Sequence, residues 1–128
     1  MEIRPGLTSS ASLVVTDADT AIAIGSGDVP VLSTPRVIAL AEQATCQAVA
    51  PALDPGMTSV GSGVQLSHLT ATPVGRTVTA EATLEGVEGR KLVFRFTVSD
   101  VRGLVAAGRI QRVVVARDRF LERASGEF

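Results

Sequence analysis

An α+β fold, with one long helix laid on an antiparallel sheet, follows from three features of this sequence. Residues 33–50 repeat apolar side chains at helical spacing and carry start and stop signals at their two ends. Beyond Met57 nearly every segment alternates apolar and polar side chains at period two, the mark of strands with one buried face. Short turns rich in Gly, Pro and Asp join these segments without a linker, internal repeat or low-complexity tract, so residues 1–128 read as a single domain.

Ser33 or Thr34 starts the helix, because a hydroxyl there accepts a bond from a free backbone N–H of the first turn. Pro35 fits the first helical position, where a missing N–H costs nothing. Pro51 ends it by pushing the preceding residue away from helical angles. Val37, Leu40, Ala41, Ala44 and Ala48 form one apolar stripe, with Arg36, Gln43 and Gln47 on the opposite side. Glu42 breaks the pattern: at about 100° per residue it falls beside Ile38 and Val49, away from the glutamines. A carboxylate on the edge of an apolar face loses hydration. It either reaches past its neighbours to water or has a partner supplied by the fold.

Ahead of the helix, residues 1–6 read as a loose lead-in and residues 8–16 as a strand. Asp17, Ala18 and Asp19 make a turn, residues 20–24 a second short extended piece, and residues 25–28 a flexible loop. Residues 51–56 form a rigid turn. In the next strand Val60, Val64 and Leu66 are expected on one face and Gly61, Gly63, Gln65 and Ser67 on the other, with His68 in phase with the apolar set. Val78, Ala80, Ala82 and Leu84 mark the core face of the following strand. Leu92, Phe94, Phe96 and Val98 mark that of its hairpin partner, joined through residues 86–89. Residues 104–117 form a last long strand and residues 118–128 a fraying end. Four or five strands of this length suffice to wrap the helix, which is the hotdog arrangement.

Composition excludes several classes. Four Phe, no Trp and no Tyr leave no stacking platform for single-stranded nucleic acid, and a net charge of -1 lacks the basic footprint of a nucleic-acid binder. The single Cys46 excludes an internal disulfide and is expected as a small core residue. With one Cys and one His, a transition-metal site would rest on carboxylates, so no metal and no cofactor are expected. No apolar run approaches the roughly 18 residues that span a bilayer. The first five residues lack the apolar stretch of a secretory signal. A cytoplasmic address and no membrane partner are therefore expected.

His68 closes a strand on the face assigned to the core. It is either a core histidine with both ring nitrogens satisfied or, with Glu42 across the same partly dry volume, half of a general acid–base or nucleophilic pair. Thr34 is explained by capping alone; if Ser33 caps instead, its hydroxyl is free for a carbonyl or an anion. Gly61 and Gly63 weaken their strand unless something such as a ligand carbonyl approaches its backbone closely; a bulge, or a helix packed tightly on the sheet, is the alternative.

Residues 34–50, the run Ser67-His68-Leu69-Thr70-Ala71-Thr72-Pro73 and the stretch Val87-Glu88-Gly89-Arg90 resemble the fluoroacetyl-CoA thioesterase family of hotdog acyl-CoA thioesterases. The likeness runs from about residue 31 to 120. Its most specific part is a helix Thr and Glu eight residues apart, followed by His in a His-x-x-Ala-Thr-Pro turn. The resemblance implies Thr34, Glu42 and His68 as a catalytic triad, the Gly61 backbone as a donor near the thioester carbonyl, and Arg112 near the substrate. It also implies a homodimer whose sheets join edge to edge, with acyl-CoA bound near the interface. The chain departs from the family pattern between Ile24 and Val29, where no aromatic lid residue stands, and at Pro35 and Gln43.

Hydrolysis of a small or medium acyl-CoA thioester is the expectation, without selectivity for a fluorinated acyl group. A hotdog hydratase is the first rival; it uses an Asp five residues before its His, and no Asp stands there relative to His68. A non-catalytic module holding acyl-CoA or another hydrophobic ligand is the second.

Overall fold

The computed structural model describes residues 2–126. Five strands, β1 (Thr8–Val14), β2 (Met57–His68), β3 (Thr77–Glu88), β4 (Lys91–Asp100) and β5 (Gly103–Ala116), form one sheet in the order β1-β3-β4-β5-β2. Every neighbouring pair is antiparallel. Among the described residues three α-helices accompany the sheet: α1 (Ala21–Ile24), α2 (Thr34–Val49) and α3 (Arg117–Ser125). Helix α2 touches all five strands, so the sheet wraps it as expected. The alternation assigned to β3 and β4 holds: Val78, Ala80, Ala82, Leu84, Leu92, Phe94, Phe96 and Val98 are all buried. They meet Val37, Leu40, Ala41, Ala44, Ala48 and Val49 of α2 in one core. Each fully buried Val, Leu or Phe contributes about 1.5–3 kcal/mol through loss of water contact.

The start of α2 is fixed by Ser33, whose Oγ accepts from the Arg36 N–H at 3.2 Å. Ser33 is buried, and its own N–H donates to the Asp19 carbonyl. Asp19 also takes the Arg36 Nε at 3.0 Å and both the N–H and the hydroxyl of Thr16. Burial pushes the Asp19 carboxyl up, but those donors outweigh it and hold the group below its ordinary value. The segment leading into the helix is thus pinned to the helix's first turn. Ser33→Ala is expected to cost about 1 kcal/mol of stability, read as a lower urea midpoint at unchanged slope.

Four expectations are corrected. Residues 20–24 are not extended: Thr20 Oγ1 accepts from Ala23 N and Gly25 takes a left-handed φ of 84°, so four residues close into α1. Residues 117–125 are helical rather than frayed, because Arg117 N–H docks on the Gly56 carbonyl and Gly126 terminates the helix; residues 127 and 128 lie outside the described residues. Cys46 is exposed instead of buried, sharing the wet side of α2 with Gln43 and Gln47.

The fourth correction bears on the site. In the pairing of β2 with β5, Gly61 stands opposite Arg112 but Gly63 stands opposite Gln111, so Ser62 is an extra residue in a bulge. The side-chain phase slips by one there. Ser59 and Gly61 before the bulge, and Val64, Leu66 and His68 after it, all lie on the helix face, opposite Val114, Arg112, Ile110, Gly108 and Ala106. Val60 turns outward, contrary to the expected alternation. Without the bulge Gly61 and His68, seven residues apart, would face opposite sides of the sheet.

Candidate active site

Because Ser33 takes the capping role, the Thr34 hydroxyl is released from it. Thr34 Oγ1 lies 2.7 Å from His68 Nδ1, a hydrogen bond that joins the first turn of α2 to the end of β2. The opposite ring nitrogen, Nε2, is buried and has no hydrogen-bond partner among the described residues. Desolvation pushes the His68 pKa below 6.5, partly opposed by the Thr70 backbone. A neutral imidazole is therefore favoured, with one nitrogen held by Thr34 and the other able to take or give a proton. Beside this pair is a cavity of about 310 Å³ whose walls include Ala21, Val29, Leu32 and Leu69. A larger depression of about 490 Å³ over Gln65, Arg95 and Arg109 contains none of these groups.

Glu42 belongs to a second cluster. Its Oε2 lies 3.6 Å from Arg112 Nη1, and its side chain is 37% exposed against 7% for Arg112. Arg112 is clamped from two sides. Its Nε and Nη2 donate to Ser59 Oγ and the Ser59 carbonyl, each at 2.9 Å, and Nη1 reaches Thr45 Oγ1 at 3.5 Å. Thr45 in turn donates to the Glu42 carbonyl. Ser59 and Thr45 were not singled out from the sequence. The available signal was position: Ser59 is two residues from Gly61 on one strand, and Thr45 is three residues beyond Glu42 on one helix.

Gly61 completes this cluster. A Cβ at this position would overlap Glu42 Oε2, while its backbone needs no left-handed φ. The glycine thus admits a close approach by an α2 side chain beside the bulge and is not required by a turn. The obstructing atom is the end of a flexible side chain, so Gly61→Ala is expected to fold normally and displace the carboxylate from Arg112. Turnover in a thiol-release assay should fall at least tenfold, with a melting temperature close to that of the parent chain.

The structure therefore brings Thr34 to His68 and Glu42 to Arg112 and Gly61. Within one chain the two clusters stay apart: eight helical residues separate Thr34 from Glu42, about 12 Å along the axis. Along β2, Gly61 and His68 are separated by about 20 Å. Among the described residues, no group of three His, Cys, Asp or Glu side chains converges on a common point, and no helix is long and apolar enough to cross a membrane.

Comparison with known proteins agrees with this fold. A solved structure of the fluoroacetyl-CoA thioesterase FlK superposes with a TM-score of 0.92 at 29% identity, covering 100% of this chain and 99% of that one. One FlK variant solved with fluoroacetate and CoA gives 0.86 at 31% identity, over 92% and 99% of the two chains. A hot-dog-like protein from Thermanaerovibrio acidaminovorans gives 0.88 at 27% identity, over 97% and 92%. The fluoroacetyl-CoA thioesterase of Streptantibioticus cattleyicolor is 38% identical over 90 residues, which is 70% of this chain and 65% of that relative's length. The model of the family described as fluoroacetyl-CoA-specific thioesterase, FlK, matches residues 15–118. With a hotdog fold and a match over most of its length, the chain belongs to the fluoroacetyl-CoA-specific thioesterase family.

Proposed function

We propose that this protein hydrolyses acyl-CoA thioesters at a site assembled from two copies of the chain. The observation that carries the reading is the pair of prepared half-sites. A histidine with one ring nitrogen bonded to Thr34 and the other unpartnered is suited to proton transfer. A half-exposed carboxylate held by Arg112 against the Gly61 backbone is suited to deliver a nucleophile.

Strand β2 stands at the edge of the sheet with twelve residues. A long edge strand invites pairing with another chain. Antiparallel pairing of two β2 strands about a two-fold axis near Gln65 keeps Val64 and Leu66 on matching faces. It also sets the partner's His68 across from the Gly61–Gly63 bulge. Glu42, Gly61 and Arg112 of one copy and Thr34 and His68 of the other then share one volume.

In that volume Glu42 either takes a proton from water or attacks the thioester carbonyl itself. The Gly61 N–H and the Thr34 hydroxyl receive the charge that builds on the carbonyl oxygen. His68, neutral at rest, accepts through Nε2 the proton given up by water or by Glu42 and passes it to the departing thiolate. Arg112 is a positioning residue: its buried, clamped guanidinium holds the Glu42 carboxylate in place. The acyl group enters the aliphatic cavity beside Thr34, whose Ala21, Val29 and Leu69 walls suit a small or medium chain. No aromatic residue lines it, which supports no preference for a fluorinated acyl group.

The test is thiol release from acetyl- through medium-chain acyl-CoAs and fluoroacetyl-CoA, with the native chain and H68A side by side. Turnover lost in the variant supports hydrolysis. Background rates for every thioester, from a folded protein that still binds acyl-CoA, would instead favour a binding module. Because burial favours the neutral imidazole, kcat/KM is expected to rise with pH along a limb with an apparent pKa below 6.5. Protonation below that value removes the proton acceptor, and H68A should lack the limb.

A further inference from the structure

Helix α3 and the β3–β4 turn enclose a groove that the proposed chemistry does not use. Its walls are Arg90, Val115, Ala116, Arg119, Phe120 and Arg123, around a volume of about 140 Å³. On the helix, Arg119, Phe120 and Arg123 are spaced to share one face, while Asp118 and Glu122 fall on the adjoining one. None of the three guanidinium groups is paired with a carboxylate among the described residues. Three unneutralised arginines beside a 39% exposed phenylalanine are costly to gather in a chain whose net charge is -1. Such a set is matched to a ligand that joins a flat aromatic base to phosphates. The ring offers a stacking face, and guanidinium forks bind phosphate oxygens in pairs.

We infer that this groove binds the 3′-phosphoadenosine diphosphate end of the thioester's CoA carrier, with the adenine on Phe120 and the phosphates on Arg90, Arg119 and Arg123. The inference rests on the acyl-CoA reading above and extends it from the acyl end of the substrate to the nucleotide end. Position agrees: Ala116 and Arg112 lie four residues apart on β5, about 13 Å, a span that an extended pantetheine arm covers. Binding energy taken from this remote handle helps hold the thioester at the reacting groups.

Two measurements test it. In steady-state thiol release, R119A and R123A are each expected to raise KM for acyl-CoA about tenfold, with kcat retained, and the double variant more. The rise should depend on the nucleotide: present with acyl-CoA, smaller with acyl-dephospho-CoA, and absent with the corresponding acyl-pantetheine. Calorimetric titration with adenosine 3′,5′-bisphosphate needs no turnover. Saturable binding that R119A/R123A abolishes supports the groove even if no acyl-CoA is hydrolysed, so failure of the hydrolase reading stays separate. Equal KM shifts for acyl-CoA and acyl-pantetheine would overturn the inference. So would bisphosphate binding indifferent to the arginines, or a variant defective only toward an acidic acyl carrier protein.

Discussion

Glu42→Gln is expected to lower kcat/KM for the preferred acyl-CoA by roughly 10²–10⁴-fold, the usual worth of a positioned proton-transfer or nucleophilic group. Glutamine keeps the length and shape of the side chain, so its end still fits against Gly61. What disappears is the charge that, in the proposed mechanism, draws a proton from water or attacks the carbonyl. Arg112 retains its bonds to Ser59 Oγ and the Ser59 carbonyl, and Glu42 is only half-buried. The loss of stability should therefore be modest, about 1–2 kcal/mol, because the buried Arg112 loses a charged partner but keeps its other hydrogen bonds. Thiol-release kinetics and a thermal melt on the same preparation separate the two effects. Unchanged turnover in a folded E42Q protein would remove Glu42 from the mechanism.

The second large effect concerns two inactive variants mixed together. E42Q and H68A should each be nearly silent alone. If a site takes Glu42 from one copy and His68 from the other, a mixed dimer contains one complete site and one doubly defective site. After unfolding and refolding of an equimolar mixture, half of the dimers are mixed. Activity should then recover to about a quarter of the parent value. A site contained within one chain cannot be repaired this way, so a mixture as silent as its components would reject the shared arrangement. The double variant E42Q/H68A mixed with either single variant should recover nothing, which guards against a trace of active contaminant.

These effects hang on local choices that differ in how plainly they are written. The extent of α2 was legible because capping and breaking are chemistry of the residues themselves: Ser33, Pro35 and Pro51 act on their own backbone. The core faces of β3 and β4 were legible because an uninterrupted period of two leaves one assignment for Phe94 or Ala80. The resemblance to the thioesterase family rested on a short spacing pattern through Thr34, Glu42 and His68. Both α1 and α3 were misread, since short helices closed by a cap or docked on a distant carbonyl leave no apolar stripe.

By itself, then, the sequence determined a long helix inside an antiparallel sheet, the strand faces away from the bulge, and the residue types available for chemistry. Only the tertiary structure decided which of them meet. Ser33 captures the cap and so frees Thr34 for His68; either hydroxyl was competent, and the Asp19 carbonyl fixed on the Ser33 N–H settles the choice. The extra residue Ser62 turns Gly61 to the helix side, a phase shift that alternation cannot register because it depends on the opposing strand. Arg112 could have faced a ligand, but Ser59 and Thr45 hold its guanidinium toward Glu42. Pairings of this kind are set by contacts between segments far apart in the chain, and local periodicity contains no term for them.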